Sequence, residues 1–157
     1  MINYVCKYAP VELFKGFGQE CAVLEEMPEN FDKSDKIAHA NLCGFGKSVI
    51  QAVLEGKVEE LVLVNCCDSM RRVYDIIENT KKCKFLYMLD LPHEDNECEN
   101  IKFAQSILRL KKAYERYSHR TFDRELFIKS FAKPESERKP YIGRMGVHVS
   151  SILEKTI

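Results

Sequence analysis

Seven cysteines are the residues best placed to do chemistry in this chain of 157: Cys6, Cys21, Cys43, Cys66, Cys67, Cys83 and Cys98. An odd number excludes a fully paired disulfide scaffold. There is no CxxC pair and no compact Cys/His array, so the spacing does not indicate a small structural zinc site. Three roles remain: small buried apolar side chains, reactive thiols, or ligands to a soft metal. A metal site would have to be assembled from cysteines distant in sequence.

Local context sorts the seven. "NLCGFGKSVIQ" (41–51) sets Cys43 in a glycine-containing turn just before a helix, and "LVLVNCCDSMRR" (61–72) sets Cys66 and Cys67 at the end of an apolar run. Thiolates at helix N-termini are favoured by exposed backbone N–H groups and by the helix dipole. In an open parallel sheet, ligands gather beyond the carboxyl ends of the strands. Cys6, Cys43, Cys66, Cys67 and Asp90 are all expected on that rim. Cys21 and Cys83 fall near strand starts, on the opposite rim, and Cys98 falls in a loop or first helical turn. Cys6, Cys43 and Cys67 can therefore converge although they lie 37 and 24 residues apart. The competing expectation is that several of them simply fill strand ends.

Other candidates carry less. "CGFGKS" ends in Gly-x-Gly-Lys-Ser but lacks the Gly-x4-Gly-Lys-Ser/Thr spacing of a phosphate-binding loop, which excludes ATP binding there. His39 is a site candidate, with capping or core packing the more frequent role of such a residue. Arg71 and Arg72 suit an anionic ligand, or more simply a solvated helix face. Glu12 and Lys15 read as surface charges, and His119 and His148 have no visible partners.

The elements that must position these residues alternate. Short strands are expected at 2–6, 21–27, 60–65 and 83–92, and a further one at 141–149. Helices are expected from Pro10, over 46–55, from Ser69 to about 82, over 98–118 and 123–132, and from 150. Residues 28–36 and HEDNECEN (93–100) read as loops. ELVLVN (60–65) is a continuous apolar run, as in a strand buried on both faces. The alternation argues for an α/β fold: a mainly parallel sheet of four to five strands with helices on both faces. Residues 1–133 are expected to form one domain. Residues 134–157 read as a linker and the start of an incomplete second α/β domain.

Bulk properties bound the function. The 24 Lys and Arg balance 24 Asp and Glu, which gives no electrostatic case for nucleic acid or an anionic membrane. No apolar run approaches the ~20 residues of a membrane span, and the N-terminus shows no secretory signal pattern. A cytoplasmic protein is expected.

Four ordered motifs carry a resemblance. "YVCKYAPVELFKGFG" resembles the opening motif of the large 2-hydroxyacyl-CoA dehydratase and benzoyl-CoA reductase subunits. "HANLCGFGKS" is similar to that family's cysteine–aromatic–small–basic–Ser motif, "NCCDSMRRVYD" to its Cys-Asp-x-x-Arg motif, and "FLYMLDLP" to its apolar strand ending in Leu-Pro. The stretch 98–132 and "YIGRMGVHVSSILEK" resemble the continuation into a second α/β domain.

The resemblance implies a Rossmann-like three-layer domain and a [4Fe–4S] cluster held between two such domains. By motif match Cys43 and Cys67 correspond to cluster ligands, with Cys6 or Cys66 as further candidates. Cys67 is preferred to Cys66 because it directly precedes Asp68. The implied partners are a second dehydratase-like subunit or a second copy, an ATP-dependent iron–sulfur activator and an acyl-CoA substrate. The implied reaction is radical elimination of water from a 2-hydroxyacyl-CoA after one-electron activation. Two departures bear on this. The family's third cluster cysteine lies in the second domain, and His93 follows "LDLP" where relatives often carry Arg. An intact cluster and dehydration are therefore not expected of this chain by itself. A benzoyl-CoA-reductase or double-cubane-type reductase subunit, or a non-catalytic cluster-bearing electron-transfer subunit, are the alternatives. If Cys43 and Cys67 share one cluster, their sulfurs are expected roughly 6–7 Å apart when it is bound.

Overall fold

In the computed structural model, residues 1–25, 27–92, 94, 96–131 and 149–157 are described, the last segment without the side chains of 149–151. Four strands, β1 (Ile2–Tyr4), β2 (Cys21–Val23), β3 (Glu60–Val64) and β4 (Phe85–Leu89), form one sheet in the order β2-β1-β3-β4. Every pairing is parallel, with Ile2 opposite Cys21, Asn3 opposite Leu61 and Glu60 opposite Phe85. The strands therefore begin on one rim and end on the other.

The helices follow from this order. α1 (Val11–Lys15) carries the chain outward from β1 to β2, and α2 (Gly44–Leu54) carries it back past β1 to β3. Right-handed crossovers in opposite directions put α1 and α2 on opposite faces. α3 (Asp68–Thr80) continues in the direction of α2 and packs beside it. α4 (Glu97–Ser118) and α5 (Arg124–Ser130) return to the face of α1. Phe14 and Phe17 meet the Tyr114 ring edge-on at 5.1 and 5.2 Å, and Phe85 of β4 meets it at 5.1 Å. The result is three layers, as the alternating pattern implied.

The core follows the apolar periodicities. Leu61, Val62, Leu63 and Val64 are buried on both faces of β3; Val49, Ile50 and Val53 line α2; Met70, Val73 and Ile77 line α3. At roughly 1.5–3 kcal/mol for each fully buried large apolar side chain, these two stripes are what hold α2 and α3 to the sheet. α6 (Val149–Thr156) packs on α4, with Leu153 fully buried. Residues 141–148 of the expected strand and the boundary at 133/134 lie outside the described residues, as do His93 and His148, and Val149, expected to end that strand, opens α6 instead.

Several expectations need correction. β1 and β2 are three residues each, so Val5 and Cys6 lie in the bend beyond β1 rather than in it. Ser34–Lys36 forms a short 3-10 turn inside the expected loop. α3 starts one residue earlier than the expected Ser69: the N-cap is Cys67, and Asp68 is the first helical residue. α4 is capped by Asn96, whose Oδ1 accepts the Glu99 N–H at 2.9 Å. Glu12 is buried, not a surface charge. α1 is only five residues long and packs against both β2 and α5, so little of its circumference reaches water.

Candidate functional site

The strand order reverses between β1 and β3, since β1 is followed by β2 on one side and β3 lies on the other. In open parallel sheets that reversal opens a crevice beyond the carboxyl ends of the two strands. The residues just past these ends are Cys6 after β1 and Asn65, Cys66 and Cys67 after β3.

Their environments differ. Cys6 is fully buried, Cys66 is 8% exposed, and Cys67 is half-buried. A hydrogen bond from the Cys66 thiol favours the thiolate of Cys6 and lowers its pKa against the cost of burial. The same contact, with burial, pushes the Cys66 thiol up, because Cys66 must keep its proton to donate it. Burial also raises Cys67, opposed by the backbone N–H of Met70. Three thiols thus run in sequence from the core to the rim, but they do not enclose a point. No group of three or more His, Cys, Asp or Glu able to hold a metal ion is found among the described residues.

Cys43 is exposed and caps α2, its Sγ accepting the Gly46 N–H at 3.3 Å. Cys67 caps α3 in extended backbone, without a side-chain cap bond. Both therefore stand at helix N-termini. Gly46 shows how closely the first turn of α2 approaches α3 at Val73. A methyl group on Gly46 would stand 3.0 Å from Val73 Cγ2, 3.3 Å from Leu42 Cγ and 3.4 Å from Cys43 Sγ. A side chain at 46 would need Val73 to give way, so the bare glycine lets the first turn of α2 lie close against α3. A hollow of ≈ 300 Å³ joins the two ends, lined by His39, Asn41 and Leu42 from the turn and by Asp68, Ser69 and Arg72 from α3. The Nδ1 of His39 accepts the Asn41 N–H at 3.1 Å, so its proton sits on Nε2.

As donors, Cys43 and Cys67 fit a thiolate-ligated group in part. They offer two soft ligands on the N-termini of adjacent helices, where negative charge is favoured. Cys21 and Cys83 are on the other rim. Their Sγ atoms lie 4.0 Å from the carbonyl oxygens of Val11 and Val58. Burial pushes Cys21 up to about 12 and Cys83 up to about 11. Cys98 is exposed in the first turn of α4.

The spacing did not reveal a side-chain link between the ends of β3 and β4. Asn65 Oδ1 accepts from Arg71 Nε at 2.6 Å, while Asn65 Nδ2 donates to Asp90 Oδ1 at 2.8 Å. The signal available was an Asn just past one buried strand and an Asp just past its neighbour.

A family model described as 2-hydroxyglutaryl-CoA dehydratase, D-component, matches residues 6–141 of the chain. That span contains all four motifs from Cys6 onward and the whole crevice. No curated protein matches the chain.

Proposed function

The chain belongs to the 2-hydroxyglutaryl-CoA dehydratase D-component family, and from that premise we propose that it forms the N-terminal half of an iron–sulfur subunit. Family membership makes it a dehydratase-like component; the cluster, the substrate and the partners below are the proposal. Cys43 and Cys67 hold a [4Fe–4S] cluster whose further ligands come from outside residues 1–133. Residues 134–157 open the second α/β domain. The substrate is a 2-hydroxyacyl-CoA, which loses the elements of water to give an enoyl-CoA. When bound, the cluster supplies one-electron chemistry, primed by an ATP-dependent iron–sulfur activator. A second dehydratase-like subunit, or a second copy, completes the enzyme.

The residues of this chain have definable parts in that scheme. The N-termini of α2 and α3 hold Cys43 and Cys67 on one side of the crevice. Cys66, next to Cys67 past β3, and Cys6, past β1, are both buried and are the further candidates for a ligand from this domain. His39, whose Nδ1 is taken up by the Asn41 N–H, lines the hollow together with Asp68. The observation that supports the reading is a pair of cysteine-capped helices packed side by side, with Gly46 at the start of α2 against Val73 of α3.

Anaerobic isolation of the complete component, with iron and acid-labile sulfide analysis, tests it. Cys43→Ser and Cys67→Ser should each lose most of the iron, while Cys21→Ser and Cys83→Ser keep it. Full iron in the first pair, or equal loss in all four, would contradict the assignment.

A further inference from the structure

The link between β3 and β4 borders a groove of ≈ 800 Å³, with Asp68, Arg71, Arg72, Asp75 and Asp90 as its charged lining. A second hollow of ≈ 360 Å³ lies on the other side of Asn65 and Asp90 and carries Arg109. Asn65 is fixed at both ends. Its backbone N–H donates to the Leu89 carbonyl at 2.8 Å, and its side-chain amide spans Asp90 and Arg71.

The cations around this groove fall into two sets. Arg72 pairs with Asp75 at 3.9 Å and Lys102 with Glu99 at 2.8 Å. Arg71 and Arg109 form no ion pair among the described residues, and each is held by a neutral oxygen. Arg71 Nε donates to the Asn65 amide at 2.6 Å, and Arg109 donates to Ser106 Oγ at 2.7 Å. A guanidinium oriented through Nε by a neutral acceptor keeps its charge and its Nη donors for something else. That fork fits phosphate oxygens in a two-bond geometry. Asp90 Oδ1 accepts from the Asn65 amide, which orients the carboxylate and leaves its charge. Asp68, Asp75 and Asp90 all line the groove beside Arg71 and Arg72, so it suits a ligand that presents hydrogen-bond donors or a cation next to its phosphates. Tyr74, Tyr87 and Met88 supply an apolar floor on which a planar group can lie.

We propose that Arg71 is an anion-binding residue that grips a diphosphate in this groove, with Asn65 as its positioning residue anchored on Asp90. This rests on the acyl-CoA reading only for the natural source of the diphosphate, coenzyme A as against free inorganic diphosphate. The grip itself is a property of this chain.

The test uses the 157-residue chain labelled with nitrogen-15, titrated separately with inorganic diphosphate and with coenzyme A. The Arg71 Nε–Hε resonance, identified by its loss in Arg71→Lys, should stand apart from the other arginines in the wild type. It should return to their range in Asn65→Ala. At least one of the two ligands should move it along a saturable curve, and coenzyme A alone doing so would assign the source. Arg71→Lys and Asn65→Ala should each weaken that binding about tenfold, the loss expected of a charge-assisted pair. Asn65→Asp retains the acceptor and adds a counter-charge. It should keep the displaced resonance yet lose the affinity, which a merely structural role for Asn65 would not produce. Neither ligand moving the resonance, or Arg71→Lys binding as tightly as wild type, would overturn the proposal. Diphosphate binding in a component that retains no iron would remove the cluster reading and leave this one standing.

Discussion

The two rims of the sheet use the same residue type in opposite ways. On the amino-end rim, Cys21 and Cys83 sit against backbone carbonyls at 4.0 Å, with burial pushing them up to about 12 and 11. On the carboxyl-end rim, Cys43 and Cys67 cap helices, and Cys6 has its thiolate favoured by the thiol of Cys66. The difference comes from strand polarity. Parallel strands collect helix N-termini at one end only, so N–H groups able to stabilise a thiolate exist only there. Strand polarity decides which cysteines can cap a helix, while burial still raises Cys66 and Cys67 on the carboxyl-end rim.

The largest effect expected from that contrast is in reactivity. A thiol pushed to about 12 is only about one part in ten thousand thiolate at pH 8. Exposed Cys43 should therefore react with iodoacetamide at least about a hundredfold faster than Cys21, as read by peptide mass spectrometry over time. Comparable rates would erase the distinction between the rims.

Next in size is the close approach at Gly46. Gly46→Val drives a branched side chain into Val73, whose Cγ2 would lie only 3.0 Å from the added Cβ. Overpacking of this kind costs ~1–3 kcal/mol, measurable in the denaturant midpoint. The substitution should also slow any bridging between Cys43 and Cys67. A matched loss of stability from Asp123→Ala, which removes the cap on the Glu125 and Leu126 N–H groups and costs ~1 kcal/mol, should leave the carboxyl-end cysteines unchanged. If both variants alter them equally, the proximity at Gly46 is not specific.

The smallest effect is a pH dependence. The folded state raises the pKa of Cys21 from 9.0 to about 12. Above pH 9 the unfolded chain releases this proton first, so it binds fewer protons than the folded chain, and stability declines as pH rises from 9 toward 12. Tyr114 and Tyr117 are also pushed up to about 12, from 10.0. Between pH 9 and 10 the tyrosines contribute little, and Cys21 shares the decline with Cys83, Cys66 and Cys67, which are also raised from 9.0. Cys21→Ala should flatten the decline in that interval. An unchanged slope would show that the thiol is not shielded as described.

Much of this was legible in the chain. ELVLV reads as a doubly buried strand because nothing polar interrupts it, and α3 reads as a helix because Met70, Val73 and Ile77 recur on one face. The rim assignment of the cysteines followed from strand polarity alone. The rest depended on contacts between distant segments. The cap of α3 fell to Cys67 because the chain leaves β3 still extended and turns one residue before Asp68. Glu12 is buried because α5, more than 100 residues away, covers α1. Arg71 reads as a solvated helix residue until the ends of β3 and β4 are seen side by side, with Asn65 between them.

The central claim is that Cys43 and Cys67 serve one site. A short bifunctional thiol reagent, applied anaerobically to the chain carrying Cys66→Ser, tests it directly. Trypsin should release the peptide 37–47, containing Cys43, linked to the peptide 58–71, containing Cys67. The account predicts that this bridge dominates and that Cys21 and Cys83 join none. Adducts confined to single cysteines, or Cys67 bridged only to Cys6, would contradict it.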